Sequence, residues 1–203
     1  MKTAQKLDLY REHKKEYAAS QKPALVEVGP AAYLSISGQG APGGSAFSDA
    51  IGALYGVAFT VKMARKFAGR KDYVVNKLEA LWPKLECDGA LPDKKNWTWQ
   101  LLIRTPRFVA RSEVTKAIAV LLKRGKSAVV QRVSLESIEE GLCVQALHAG
   151  PYEDEGATVA MMRSFAEAKG VRFYGMHHEI YLSDPRRIAP EKLKTILRHP
   201  VRR

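Results

Sequence analysis

Long apolar runs, cysteines and a signal-like N-terminus are what this chain lacks. No stretch approaches the roughly 18 consecutive apolar residues that a membrane helix needs, so no membrane span is expected. The first twenty residues are rich in charge and have no apolar h-region, so they are not expected to act as a secretory signal. Only two cysteines, Cys87 and Cys143, are present, and they stand far apart. They support neither a disulfide framework nor a zinc site, and a reducing cytoplasm is the expected compartment. Acidic residues are outnumbered 21 to 33, which leaves a net charge of +12. The basic residues fall in short scattered clusters, and no helix-turn-helix, zinc-finger or RRM signature accompanies them. They read as a solvated surface, so sequence-specific nucleic-acid binding is not expected. Gly38 and Gly40 lack the third glycine and the βαβ unit of a dinucleotide fingerprint, so they make no phosphate loop.

The 203 residues, 46% of them hydrophobic, suffice for one substantial core or two small ones. Residues 1–22 are polar and read as a partly ordered arm. Leu25, Val26, Val28, Tyr33, Leu34 and Ile36 give a strand signal interrupted at Gly29-Pro30 and ended by the glycine-rich run 38–44. Phe47, Ile51, Leu54, Tyr55, Ala58 and Val61 recur at helical spacing, with Gly69 as the stop. Strand-like runs cover 73–82 and 97–103, separated by a turn-rich stretch around Asp88-Gly89 and Pro92-Asp93. A helix opens at Ser112, a good N-cap, and closes at Gly125. Strands at 130–138 and 142–147 follow, then the loop His148-Ala149-Gly150-Pro151-Tyr152. An amphipathic helix carries Val159, Met162, Phe165 and Ala166, and two last strand signals lie at 178–182 and 195–197.

The second half retraces the first. Residues 33–40 align with 143–150, 77–82 with 177–182, and 102–106 with 196–200, and an R-x-P ending closes both halves. Matches in the same order indicate a duplicated unit. The fold expected is α+β, two β-α-β-β modules related by a pseudo-twofold axis, an antiparallel sheet with helices on one face and a central ligand cleft. A single domain spans 23–203, with half one at 23–110, a connector helix at 112–125 and half two at 128–203. Glu79 and Glu179 occupy matching strand positions, so both are expected to face the cleft.

The segment 140–152 reads E-G-x-x-x-Q-x-x-H-x-G-P-Y, 178–185 reads H-E-I-Y-L-S-D-P, and 194–198 reads K-T-I-L-R. With Ala53-Leu54-Tyr55, the run Leu78-Glu79-Ala80-Leu81-Trp82, and Trp97-Thr98-Trp99, these motifs resemble those of GyrI-like small-molecule-binding proteins. The resemblance covers nearly the whole chain. It departs at Ala80, where the family often has glycine, and at Pro83, where it often has an aromatic residue. It implies the duplicated fold and an aromatic-lined cleft around a central glutamate, which Glu179 matches, with Tyr55 matching a helix tyrosine that faces the cleft. Relatives include effector domains of multidrug-sensing regulators, proteins that protect DNA gyrase, and hydrolases of cyclopropane-bearing toxins.

Residue chemistry points to the same places. An acid between His178 and Ile180 on an apolar strand needs a partner, solvent or a raised pKa, and in a cleft it can bind a cation or activate water. Glu179 and Tyr55 are therefore the expected catalytic residues. Glu79, Trp82, Trp99, His148, Tyr152 and Tyr181 are the expected ligand-binding set. Trp97 and Trp99 share a strand face, and aromatic faces suit flat or cationic ligands. His177 and Glu179 also share a face, but two donors are too few for an ion, so no metal and no cofactor are expected. The expected ligand is a small lipophilic, cationic or polycyclic molecule. Three function classes follow: a multidrug-binding or sequestering module, a hydrolase adding water to a strained conjugated ring, and a protein that binds a partner such as DNA gyrase. Two carboxylates and a nearby tyrosine favour the enzyme.

Overall fold

The computed structural model describes residues 6–83 and 96–203, so Cys87 and the turns around Asp88-Gly89 and Pro92-Asp93 lie outside the described residues. Among the described residues, nine strands, all paired antiparallel, and five α-helices make an α+β protein. The chain forms two compact units: Met1–Glu12, Ala31–Asn76 and Leu91–Ile138 make the first, and His13–Pro30, Lys77–Ala90 and Glu139–Arg203 the second. No helix among the described residues is long and apolar enough to cross a membrane.

In the first unit, β2 (Ala31–Gln39) lies between β4 (Thr98–Thr105) and β5 (Ser134–Ile138). Helix α3 (Ser45–Phe67) packs on β2 and β4, and α4 (Arg111–Lys123) packs on α3. The apolar stripe of α3 buries Phe47, Leu54, Val57 and Val61. Trp99 is 2% exposed and lies flat over Gly38, where an added Cβ would come within 2.2 Å of the indole. Phe47 meets the same ring edge-on at 5.3 Å. Trp99 thus packs within this unit. Helix α4 begins one residue before Ser112, and its cap is made from within: the Ala110 N–H donates to the Glu113 carboxylate at 2.9 Å, and Arg65 grips that carboxylate at 2.7 Å.

In the second unit the strand order is β1-β6-β9-β8-β3, that is Ala24–Val28, Gly141–Ala149, Lys194–Arg202, His177–Tyr181 and Leu78–Trp82, with β7 (Arg172–Phe173) on the far part of β9. Helix α5 (Glu155–Ala168) covers one face, burying Met162 and Ala166 against Val144, Ala146 and Leu197. The elements repeat in the order β2–α3–β3–β4 and β6–α5–β8–β9, with Gly40 and Gly150 ending β2 and β6 at φ of 127° and 138°. The flanking strands do not stay with their own half. β1 pairs with β6, and β5 pairs with β2. Hydrogen bonding across a sheet is blind to sequence distance, and each compact unit is accordingly assembled from segments far apart in the chain.

Residues 6–12 belong to the first unit and residues 13–22 to the second. Leu7 bridges Tyr73 in the first, and α1 (Leu9–Glu12) buries Leu9 there. In the second, α2 (Lys14–Tyr17) covers the sheet face opposite α5, so the second unit has helices on both faces. The Arg198 guanidinium donates to the Glu16 carbonyl, and the Gln145 amide donates to the Ala18 carbonyl at 3.2 Å. Beneath α2 lies a buried ionic network. His178 stands 3.0 Å from Glu79 and 2.9 Å from Glu140, Arg198 donates to Glu140 at 2.8 Å and to Gln145 at 3.1 Å, and the Tyr17 hydroxyl donates to Glu79 at 2.7 Å. Burial disfavours the imidazolium, but Glu140 and Glu79 prevail and lift His178 to about 9. Burial likewise works against the Glu140 carboxylate, but His178 and Arg198 hold it at about 2.

Two outcomes are expected. Gly38→Ala should lower stability by about 1–3 kcal/mol in a denaturant titration, because Trp99 cannot move aside without disturbing Phe47. Because His178 binds its proton more tightly folded than unfolded, its contribution is complete below pH 6.5 and lost as pH rises through 9. The unfolding free-energy difference between wild type and His178→Gln should therefore be largest near pH 6 and shrink through that window. A difference that stays flat would show that His178 is not held as a cation.

Candidate functional site

Alternation along β8 sends His178 and Ile180 toward α2 and His177, Glu179 and Tyr181 toward α5. In the register with β3, Ala80 lies opposite Glu179 and Trp82 opposite His177, while Glu79 lies opposite Ile180. Glu79 and Glu179 therefore face opposite sides of the sheet. Glu79 is fully buried in the ionic network, which corrects the expectation that both acids share a cleft.

On the α5 side, Glu179 is held by its neighbours. The Tyr181 hydroxyl donates to its Oε2 at 2.7 Å, and its Oε1 lies 3.7 Å from His177 Nε2. Glu155, the first residue of α5, brings a second carboxyl to the same place. The donor atoms of Glu155, His177 and Glu179 all lie within 4.8 Å of one another. Trp82, opposite His177 in the register, is buried on the same side, and Tyr152 meets Tyr181 edge-to-face at 5.9 Å. Behind His177, the His199 ring is 5.7 Å away and stacks on Phe173 at 4.2 Å.

His148 explains how Glu155 and Tyr152 arrive there. It is 5% exposed, with Nε2 2.9 Å from the Pro151 carbonyl and Nδ1 3.0 Å from the Thr158 hydroxyl. A carbonyl only accepts, so Nε2 carries the proton, and in the neutral ring Nδ1 accepts from Thr158. The ring thereby clamps the turn after Gly150 to the first turns of α5. His148 thus positions the residues on either side of that turn.

The electrostatics follow from burial. Burial raises the Glu179 carboxyl, against hydrogen bonds from Tyr181 and Trp82 that favour its charged form. Burial, reinforced by the neighbouring Glu179 charge, lifts Glu155 to about 9. With Glu155 at about 9, the two carboxyls hold at least one proton at neutral pH. Burial also keeps His177 neutral, down at about 3, with the His199 and His178 charges adding to the effect. Burial and Glu179 together push Tyr181 well above its ordinary value, and burial takes Tyr152 to about 12. Both phenols are hydrogen-bond donors at neutral pH. The set can accept a proton, donate one, or neutralise a cation.

Of the residues expected from sequence, Glu179, Trp82, Tyr152 and Tyr181 lie in the second unit, on or beside the α5-facing side of its sheet. Tyr55 belongs to the first unit, where it is half-buried and its ring stacks on Phe59 at 6.1 Å. Sequence reasoning missed Glu155. In the run Glu153-Asp154-Glu155 it looks like one more acid at a helix N-terminus, where negative charge is commonplace. A carbon-13 carboxyl titration should place the Glu155 midpoint near 9, and Glu179→Gln should lower it while leaving it above the ordinary 4.5, because burial remains. A midpoint at the ordinary value in wild type would mean the pair is solvated.

The GyrI-like small molecule binding domain matches residues 21–202. A conserved protein from Listeria innocua is similar at 40% identity and a TM-score of 0.90, over 97% of this chain and 100% of that one. Two hydrolases from Listeria innocua are similar at 38% and 39% identity with TM-scores of 0.88 and 0.89, over 97% and 98% of this chain and all of theirs. The C-terminal domain of EcmrR shares the fold at 14% identity and a TM-score of 0.58, over 89% of this chain and 97% of that one. No curated protein sequence matches the chain. With the domain match running almost from end to end and relatives near 40% identity aligned over their full length, the chain belongs to the GyrI-like family of small-molecule-binding domains.

Proposed function

We propose that this protein binds a flat, lipophilic small molecule against Glu179 and hydrolyses a strained conjugated ring in it, such as an activated cyclopropane. The observation that carries this reading is the buried Glu179–Glu155 carboxyl pair beside Tyr181 and Trp82, and the hydrolase names of two relatives near 40% identity support it. Ring strain already raises the energy of such a substrate, so the protein has to place water and receive charge. Glu179 accepts a proton from water as its oxygen bonds to the electrophilic ring carbon. The ring carbon–carbon bond breaks, and its electron pair moves through the conjugated system to the carbonyl oxygen. That oxygen takes up a proton, so the sum is addition of one water. Glu155, holding the shared proton, and the Tyr152 hydroxyl are the donors proposed to stabilise the developing charge. Tyr55 enters as a further donor on the family resemblance alone.

Binding without turnover is the second reading, favoured by the same buried acid and aromatic ring, which suit a lipophilic cation. The test is loss of a cyclopropane-bearing substrate with oxygen incorporated from labelled water. Positioned acid–base groups contribute about 10²–10⁴-fold, so Glu179→Gln and Tyr55→Phe should each lower turnover at least tenfold with the circular dichroism spectrum unchanged. Tight binding with no turnover above the buffer rate across a panel of such compounds would leave the binding module. In that case Glu179→Gln should still weaken a lipophilic cation about tenfold, since a lost charge contact of about 1 kcal/mol or more is near that factor.

A further inference from the structure

We infer that Glu155, His177 and Glu179 form a binding site for a divalent transition-metal ion of the zinc type. Two elements of the second unit converge on it: β8 gives His177 and Glu179 from one face, and α5 gives Glu155 from its first turn. Their donor atoms lie within 4.8 Å of one another, and His177 Nε2 is 3.7 Å from Glu179 Oε1. One ion can span that gap with two bonds of roughly 2.0–2.2 Å, and a modest side-chain rotation brings in Glu155.

Further observations mark this as more than a cluster of acids. Glu155 is 9% exposed, and its buried Oε1 has no hydrogen-bond partner. A buried carboxylate oxygen without a donor is costly, and a cation would satisfy it. The second carboxylate is already oriented as a ligand would be: Tyr181 holds Oε2 at 2.7 Å, which turns Oε1 toward the histidine. Outer hydrogen bonds of this kind fix metal ligands in register. Two carboxylates and one imidazole match the charge of a divalent ion. Three protein ligands leave a fourth position for water, as in zinc sites that activate it. The inference concerns the same residues as the proposed hydrolysis but rests on their geometry, whether or not a substrate is turned over.

The experiment is calorimetric titration of Zn2+ into the chelator-treated full chain, with Co2+ absorption as a second readout. One ion per chain should bind, and the Co2+ complex should show a visible d–d band. Loss of an outer partner of a metal ligand costs roughly 10–100-fold, so His177→Ala and Glu155→Gln should each weaken binding at least tenfold. His13→Ala, at a half-buried histidine paired with Glu16 and remote from the three ligands in sequence, should change nothing. Circular dichroism checks that each variant folds, and His177→Ala keeps the test intact should Glu155→Gln fail to fold. No saturable binding, or equal binding by wild type and the folded His177→Ala, overturns the inference. Metal-free hydrolysis with no ion bound would leave the proposed function standing alone, and an ion bound by a chain that converts no substrate would leave the metal site standing alone.

Discussion

His178, 3.0 Å from Glu79 and 2.9 Å from Glu140, makes the pair of contacts on which the second unit depends. These groups lie beneath α2 on the sheet face away from α5, where no bulk water answers their charge. A buried ion pair gives little net stability compared with apolar packing, but breaking one leaves an unpaired buried charge, which is expensive. The network therefore specifies more than it stabilises. His178 can meet Glu79 only if β3 and β8 pair in the observed register, and Arg198 can meet Glu140 and Gln145 only if β9 lies between β6 and β8. The backbone carbonyl of Glu16 and the hydroxyl of Tyr17 complete the set, so the arm is fixed by the same charges.

That register has a consequence on the other face. Once His178 is committed to the network, alternation delivers His177, Glu179 and Tyr181 together to the α5 side. The five residues of β8 thus carry ionisable groups on both faces under different regimes. On one side opposite charges are paired. On the other side like charges meet at low dielectric, and a proton must be held or a cation taken. The second face can react or bind because its charge is not settled internally.

The loop at 150–154 turns this arrangement into a site. Gly150 adopts a φ of 138°, which a side chain would resist, and the turn lets His148 reach both Pro151 and Thr158. Tyr152 and Glu155 are placed by that clamp. The motif H-x-G-P-Y thus contributes chiefly through its histidine and glycine as framework, and its tyrosine contributes the ring that meets Tyr181.

Periodicity and turn chemistry determined much by themselves. The α3 and α5 stripes, the strands carrying Tyr33, Trp99, Val144 and Glu179, the repeated order of elements and the family motifs were all legible, because each is a local pattern. The side of β8 shared by His177 and Glu179 was legible for the same reason. The tertiary structure decided the rest. The arm reads as polar because its helices are single turns with one buried residue each, too short for a period to show. Glu79 and Glu179 match in sequence, but antiparallel pairing of their strands offset by one residue turns them to opposite faces. The seat of Trp99 over Gly38 is likewise set by the pairing of β2 with β4. Glu155 has no local signal at all: an acid opening a helix is ordinary, and only the docking of α5 on β6 and β9 sets it against Glu179. Pairing and docking join residues distant in sequence, so no local pattern records them.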